Sequence, residues 1–385
     1  MSWSLVNLST VCQIDMGSAP KGSTYVELDS GVPLIAGAAD YGDVFPQPKK
    51  ATLEPTKLCK KGDIIICVRA TIGDLNWADK EYCLGRGVAG LRAHDEKLDS
   101  KYLWYFIASI EDELYRNSTG STFPQINKKV IESLKIPLPP LETQKQIAAV
   151  LEKADQLRKD CQQMEQELNS LAQSVFIDMF GDPVTNPKGW EIVTIGDLLL
   201  SANYGTSEKA STEKKKYPVL RMNNITYEGN WDFSSLKYMD MSEDDEDKYL
   251  VESGDILFNR TNSKELVGKT AVYREATPMA YAGYLVRARC NELAHPEYIS
   301  SFMNSRFTKK TLQSMCKSIV GMANINAKEF QKISVAKPPI ELQQEFARRV
   351  EAIRAEVEAT KQQGYEYDHL FNSLMQKAFK GELTL

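Results

Sequence analysis

The sequence predicts an α+β fold: two mixed α/β domains joined by two long antiparallel coiled-coil helices, the whole built on an internal pseudo-twofold repeat. Three observations predict it. The two halves of the chain match each other in order, β-rich and helical stretches alternate within each half, and a narrow apolar row with three-four spacing follows each.

The repeat rests on six collinear matches. Trp3-Ser4-Leu5-Val6-Asn7-Leu8 pairs with Trp190-Glu191-Ile192-Val193-Thr194-Ile195, Pro33-Leu34-Ile35 with Pro218-Val219-Leu220, and Gly62-Asp63-Ile64 with Gly254-Asp255-Ile256. Ile126-Asn127 pairs with Ile325-Asn326, Pro139-Pro140 with Pro338-Pro339 (a glutamate, Glu142 or Glu341, follows two residues later), and SLAQSVF at 170–176 with SLMQKAF at 373–379. The offsets run 187, 185, 192, 199, 199 and 203, so the copies differ by short insertions of the kind surface loops accept.

Each copy opens with a mixed domain, expected over 1–138 and 181–337, the second beginning with a short linker at 181–189. Runs such as Asp63–Val68 and Asp255–Phe258 read as strands, and the stretches Tyr102–Tyr115 and Pro296–Cys316 read as helical. A Pro-Pro pair then marks a boundary, because proline disfavours helix in the residue before it and fits a helix's first turn. Long helices are expected over 139–180 and 338–385.

On the first helix the seam is expected at Ile147, Val150, Ala154, Leu157, Cys161, Met164, Leu168, Leu171 and Val175. On the second it is expected at Val350, Ile353, Val357, Thr360, Gly364, Tyr367, Phe371, Leu374 and Ala378. At 1.5 Å per residue some forty residues make a rod of roughly 60 Å. The two helices are expected to pair antiparallel, with a globular domain at each end. Each helix packing on its own domain, or a dimer between chains, are the alternatives.

Composition narrows the function. The 385 residues carry 47 basic and 52 acidic side chains, a net charge of −5. By segment the balance is −1 over 1–138, −4 over 139–185, +2 over 186–337 and −2 over 338–385, so the acidity sits in the helical segments. No apolar run approaches a membrane span, and MSWSLVNLST lacks the basic-then-apolar pattern of a signal peptide, so a cytoplasmic protein is expected. The seven cysteines are scattered, with no CxxC spacing, and read as buried reduced thiols; the three histidines lie far apart, and no metal site is expected.

Catalytic motifs are missing. The glycine spacing at Gly17–Thr24 lacks the P-loop lysine, and GxGxxG, GxSxG, HExxH and an Asn/Asp-Pro-Pro-aromatic string are absent. Acid-x-Lys strings such as Glu213-Lys214-Lys215 read as solvated loops. A chain without chemistry or a cofactor of its own is expected.

What the loops do carry is hydrogen-bonding side chains suited to base edges and phosphates. In the first copy the candidate DNA-binding residues are Arg69, Thr71, Arg86, Ser121, Thr122 and Gln125. In the second they are Lys214, Lys215, Arg221, Asn223, Asn224, Asn259, Arg260, Thr261, Asn262, Ser263, Lys264 and Lys269, the segment Asn259–Lys269 following the Gly-Asp-Ile strand being densest.

Over essentially its whole length, the sequence resembles the specificity subunit of a type I restriction-modification system. The duplicated layout carries the resemblance, with KIPLPPLETQKQIAAVLEKAD entering the first helix, SLAQSVFIDMFGDPVTNPKGW leaving it, and FNRTNSKELVGKTAV in the second domain. It implies two target-recognition domains, each reading one half of a split double-stranded DNA site, on conserved helices. It also implies that those helices dock two modification subunits, which bind S-adenosylmethionine and methylate adenine, and that restriction subunits join to cleave. Because the two domains differ strongly in sequence, an asymmetric site is expected, with Arg260→Ala relaxing one half only. The rival reading is a non-catalytic two-domain scaffold for a protein or carbohydrate ligand; a nuclease or methyltransferase with an unrecognised site is the third.

Overall fold

The computed structural model describes residues 3–120, 124–315, 317–319 and 322–383. It divides into two compact units, Met1–Cys161 with Gln362–Leu385 (unit 1) and Gln162–Lys361 (unit 2).

In unit 1 an antiparallel sheet runs in the order Cys12–Met16, Val88–Ala93, Ile64–Cys67, Leu75–Trp77. Ile64-Ile65-Ile66-Cys67 is buried at every position, and the two-residue period of a strand sends it to both faces. Ile64 and Ile66 pack into the core formed with the helices, whereas Ile65 and Cys67 face a second sheet. That sheet runs Tyr25–Val26, Lys50–Thr52, Val32–Ile35, Tyr82–Leu84, Leu58–Cys59, with Val32–Ile35 and Tyr82–Leu84 parallel. A small ribbon pairs Leu5–Asn7 with Lys135–Pro137.

Unit 2 repeats this plan. Its antiparallel sheet runs Leu199–Tyr204, Leu285–Cys290, Ile256–Asn259, Thr270–Val272. Its second sheet runs Lys237–Met239, Tyr217–Leu220, Met279–Tyr281, Leu250–Val251, and Glu191–Thr194 pairs with Ser334–Lys337. The matches read from the sequence fall on equivalent elements. Leu34 and Ile35 pair in parallel with Cys83 and Leu84, as Val219 and Leu220 do with Ala280 and Tyr281. Asn127 and Asn326 each cap a short helix, and Gly62 and Gly254 both adopt positive φ, near 90° and 96°, to turn into the central strand.

The helical stretches near 102–115 and 296–316 are each two helices. Ser100–Ser109 and Glu111–Arg116 break at Ile110, and Pro296–Asn304 and Arg306–Met315 break at Ser305, whose hydroxyl accepts from the Thr308 N–H and so caps the second piece.

The long helices are Leu141–Phe180 and Ile340–Lys380, and each belongs in part to both units. Within each unit they run antiparallel. In unit 1 Arg158 bonds Asp368 at 2.6 Å and Gly364 lies beside Cys161. In unit 2 Lys361 faces Glu165 at 3.6 Å, and Phe346 packs on Phe176 and Phe180.

The expected row on the C-terminal helix is the inward one: Val350, Val357, Thr360, Phe371 and Ala378 are buried and Ile353 and Leu374 half-buried. On the central helix the phase needs correcting. Ile147, Ala154 and Cys161 are buried, with Leu157, Leu168 and Val175 half-buried; Val150 and Leu171 are exposed, and Met164, though half exposed, accepts at its Sδ from the Thr360 hydroxyl of the facing helix at 3.7 Å. Leu151 is buried instead of Val150, and Arg158 and Glu165 take the inward positions beyond it. Arg158 lays its guanidinium over the Phe371 ring, 4.5 Å from its centre, so around Leu151 and Arg158 the row alternates four-three where three-four was expected.

Cys12, Cys59, Cys67, Cys83 and Cys161 are buried and Cys290 half-buried. Among the described residues no helix is long and apolar enough to cross a membrane.

Candidate nucleic-acid interface

In unit 1 the chain leaves the strand Ile64–Cys67 and enters a cluster of turns at one end of the sheet. The Val68 N–H donates to the Gly87 carbonyl, and the Val68 carbonyl accepts from Ile126. Val68 is thereby fixed and buried. The next residue, Arg69, lies opposite Gln125 across an antiparallel bridge, and Gln125 lies opposite Thr119 on its other side, with reciprocal N–H to carbonyl bonds of 2.9 Å. Residues directly opposed in an antiparallel ladder project to one face, so Arg69, Gln125 and Thr119 form a row.

Backbone geometry holds this row at the surface. Ala70 has φ near 61°, a left-handed conformation uncommon for a residue with a side chain. It is tied down by its own N–H to the Pro124 carbonyl and by the Tyr115 hydroxyl on its carbonyl. Arg86 sits between Gly85 and Gly87; a Cβ at Gly87 would lie 2.2 Å from the Ala36 carbonyl, so only glycine lets this turn close. Arg69, Arg86, Thr71 and Gln125 are all exposed. The side chains of Arg69, Arg86 and Gln125 have no hydrogen-bond, ionic or ring partner among the described residues. Ser121 and Thr122 lie outside the described residues.

Unit 2 has the same backbone plan with different side chains. Arg260 donates its N–H to the Tyr284 carbonyl and accepts from Ile325, the bonds made by Val68 in unit 1. Thr261 then pairs with Asn324, as Arg69 does with Gln125. The guanidinium of Arg260 stacks on Tyr204, 4.9 Å from the ring centre, and reaches the Gly283 carbonyl and the Asn324 Oδ1 at 3.4 and 3.3 Å. Asn324 also donates to the Thr261 hydroxyl at 3.0 Å, and the Tyr204 hydroxyl accepts from the Ala327 N–H. Arg260 is therefore bound into the wall of the site and is not presented from it.

Four expected contact residues face inward. Asn224 is fully buried, accepting from the Arg221 N–H and donating to the Asp232 carbonyl. Asn259 is fully buried at the end of its strand, and Thr261 is buried beneath Asn324. Lys269 is 7% exposed and donates to the Ile225 carbonyl; burial pushes its ammonium below the ordinary lysine value. Lys264 is exposed and Asn262 and Ser263 are half-buried on the same turn, where the Ser263 N–H donates to Asn262. Lys214, Lys215, Arg221 and Asn223 belong to the other sheet, flanking the strand Tyr217–Leu220. Lys215 pairs with Asp240 at 3.5 Å and Arg221 donates to the Ser235 carbonyl, while Lys214 and Asn223 are exposed.

A half-buried ion pair stands at the other end of each central strand, where the chain enters it. Arg92 holds Asp63 with bonds of 2.8 and 2.6 Å, and Arg289 holds Asp255 at 2.8 Å, at equivalent places beside the central strand. Further along unit 2, Lys309 lies against the Tyr227 ring and donates to its carbonyl at 2.5 Å; burial, with Lys269 nearby, pushes it down to about 8.

The family model of the type I restriction modification DNA specificity domain matches the chain twice, over residues 2–170 and 187–366. The chain belongs to this family. Among specificity subunits similar to it, the putative type I restriction enzyme MjaX subunit of Methanocaldococcus jannaschii is 40% identical over 169 residues, covering 42% of this chain and 40% of that one. The EcoKI specificity subunit of Escherichia coli K12 is 26% identical over 99% of this chain and 89% of its own. The crystal structure of the type I system S subunit from M. genitalium shares the fold at a TM-score of 0.61, with 15% identity over 98% of this chain and 96% of that one. A structure from work on complex assembly and conformational transition of the type I system gives 0.62, with 18% identity over 99% and 98%. The duplicated specificity-domain architecture expected from the sequence is the one observed.

Three features of this specificity-family chain escape a reading of its loops. Tyr204 and Asn324, which hold Arg260, lie 56 and 64 residues from it, and no local pattern links them. Gln144 and Gln343 are fully buried at the start of the long helices. Each joins three backbone groups: Gln144 the Lys97 and Pro139 carbonyls and the Asp99 N–H, Gln343 the Leu293 and Pro338 carbonyls and the His295 N–H.

Proposed function

We propose that this chain is the DNA sequence-specificity subunit of a type I restriction-modification complex and carries no chemistry of its own. Each recognition domain reads one half of an asymmetric bipartite site in double-stranded DNA. The long helices set the spacer between the halves and dock two modification subunits, which supply S-adenosylmethionine and methylate adenine; restriction subunits join that complex to cleave.

The observation that carries this reading is one backbone plan with exchanged side chains. At equivalent turn positions unit 1 has Arg69, Arg86 and Gly87 where unit 2 has Thr261, Gly283 and Tyr284. A constant scaffold with divergent turns supports two readers of different sequences. The net charge of −5 supports a division of labour in which the partner subunits supply much of the phosphate neutralisation.

The test is a map of N6-methyladenine in the host with this gene intact and deleted, and again after co-expression with the neighbouring methyltransferase in a clean host. Loss of one gapped motif on deletion and its return on co-expression is the expected result. Methylation unchanged in both hosts would overturn the reading in favour of a scaffold.

A further inference from the structure

Arg69 and Gln125 offer unused hydrogen-bonding chemistry at the surface of unit 1. They are opposed across the bridge, exposed, and free of internal partners among the described residues. Among the arginines Arg69 shares with Arg86 a fixed backbone position and a guanidinium without a partner among the described residues, unlike most others. Arg92, Arg158, Arg274, Arg289, Arg348 and Arg354 all bond carboxylates, and Arg260 is stacked and hydrogen-bonded. Neighbouring Ala70 is held in a left-handed conformation, the kind of local strain that surrounding structure maintains where a side chain must be aimed.

Resting on the proposed function, we infer that Arg69 and Gln125 read adjacent base pairs in the half-site of unit 1, Arg69 taking a guanine and Gln125 an adenine. The chemistry follows from donor and acceptor patterns. Guanine offers two acceptors, O6 and N7, to the two-pronged guanidinium, whereas adenine offers the N7 acceptor and N6 donor that a carboxamide matches. The spacing fits too. Opposed residues of an antiparallel ladder stand roughly 4.5–5.5 Å apart at Cα, and flexible side chains of this length converge from there onto steps about 3.4 Å apart.

Unit 2 lacks this reader. Thr261 is buried where Arg69 is exposed, and Asn324 has both ends of its amide engaged by Thr261 and Arg260. The guanine-adenine step therefore belongs to one half-site only.

The experiment is selection of DNA duplexes randomised across both half-sites by the purified complex of full-length chain and methyltransferase, read by sequencing the bound pool. The wild type is expected to select a guanine next to an adenine in one half. Arg69→Ala should lower the preference for that guanine by roughly tenfold or more, leaving the adenine and the other half intact. Arg69→Gln should shift the same position towards adenine, and Gln125→Ala should relax the adenine alone. Uniform weakening on every sequence would make Arg69 a phosphate contact and overturn the inference, as would a wild-type site without the step. Loss of all binding by both Arg69 variants would also overturn it, because one base contact contributes at most about a hundredfold. A wild-type complex that selects no gapped sequence at all would instead overturn the specificity function itself.

Discussion

Val68 and Arg260 occupy the same backbone position in the two units, and Arg69 therefore corresponds to Thr261. The hydrogen bonds from Val68 to Gly87 and from Ile126 to Val68 recur as Arg260 to Tyr284 and Ile325 to Arg260. In extended chain a shift of one residue reverses the side chain's face. Two arginines that follow equivalent strands thus have opposite fates: Arg69 points out, and Arg260 is laid against Tyr204.

Arg260→Ala should accordingly act first on stability. It removes the ring stacking and the bond to Asn324, whose own bond to Thr261 joins the turn to the strand Met322–Asn324. A loss of about 1–2 kcal/mol is expected, read by denaturant unfolding of the full chain. Base preference should blur over several positions of one half-site. A clean change at a single base with unaltered stability would return Arg260 to the role of direct reader.

Gln343→Leu should be costlier than any surface substitution. The leucine fills the space but leaves the Pro338 carbonyl, in a buried site, and the Leu293 carbonyl and His295 N–H, in partly buried ones, without their partner. With the buried carbonyl costing roughly 1–3 kcal/mol and the two partly buried groups less, a loss of about 2–3 kcal/mol is expected, with Gln144→Leu behaving alike in unit 1. Equal unfolding midpoints for wild type and variant would disprove the reading.

These glutamines show how much the sequence carries. Pro-Pro-apolar-Glu-x-Gln stands in both copies, at 139–144 and 338–343, so the pattern was legible; what it could not reveal was that the amide turns inward to meet Lys97 or Leu293, some fifty residues away. The same limit explains the loops. Composition marked Asn259–Lys269 as rich in donors, and the fold then spends Asn259, Thr261 and Lys269 on its own backbone and walls. The repeat is legible because it is a property of order along the chain. Which face a side chain takes depends on ladder register, and a one-residue difference was enough to separate Arg69 from Arg260.

Glu297 gives unit 2 an acid sensitivity with a defined sign. It is the second residue of its helix, as Lys101 is of the equivalent helix in unit 1, but the charges are reversed: Lys101 meets Glu152, whereas Glu297 meets Arg274 and Arg354. Burial pushes its carboxyl up, and the hydrogen bonds and charges of the two arginines outweigh that and hold it below the ordinary value of 4.5. Its stabilisation is thus fully present above the unfolded value and is lost as pH falls through the folded one. Glu297→Gln should cost roughly 2–3 kcal/mol at pH 7, near the low end for a broken buried pair because the arginines are partly exposed. Its unfolding midpoint should fall less steeply than the wild type's between pH 5 and pH 3. Parallel pH profiles would exclude Glu297 as the titrating group.

The phase of the central helix is tested by two neighbouring residues in unit 1. Leu151 is fully buried and packs into the core that contains Tyr102, Tyr105 and Phe371, while Val150, one step round the helix, is 38% exposed. A step of one residue turns a helix by about 100°, so the two cannot both serve the seam. Leu151→Ala should cost about 2–5 kcal/mol through lost burial and the cavity left behind. Val150→Ala should stay within about 0.5 kcal/mol, as surface substitutions do, with alanine's better helix propensity offsetting the lost methyl groups. Denaturant unfolding of both variants beside the wild type measures the contrast. A larger loss at Val150 than at Leu151 would restore the three-four alternation that the sequence alone suggested for this end of the helix.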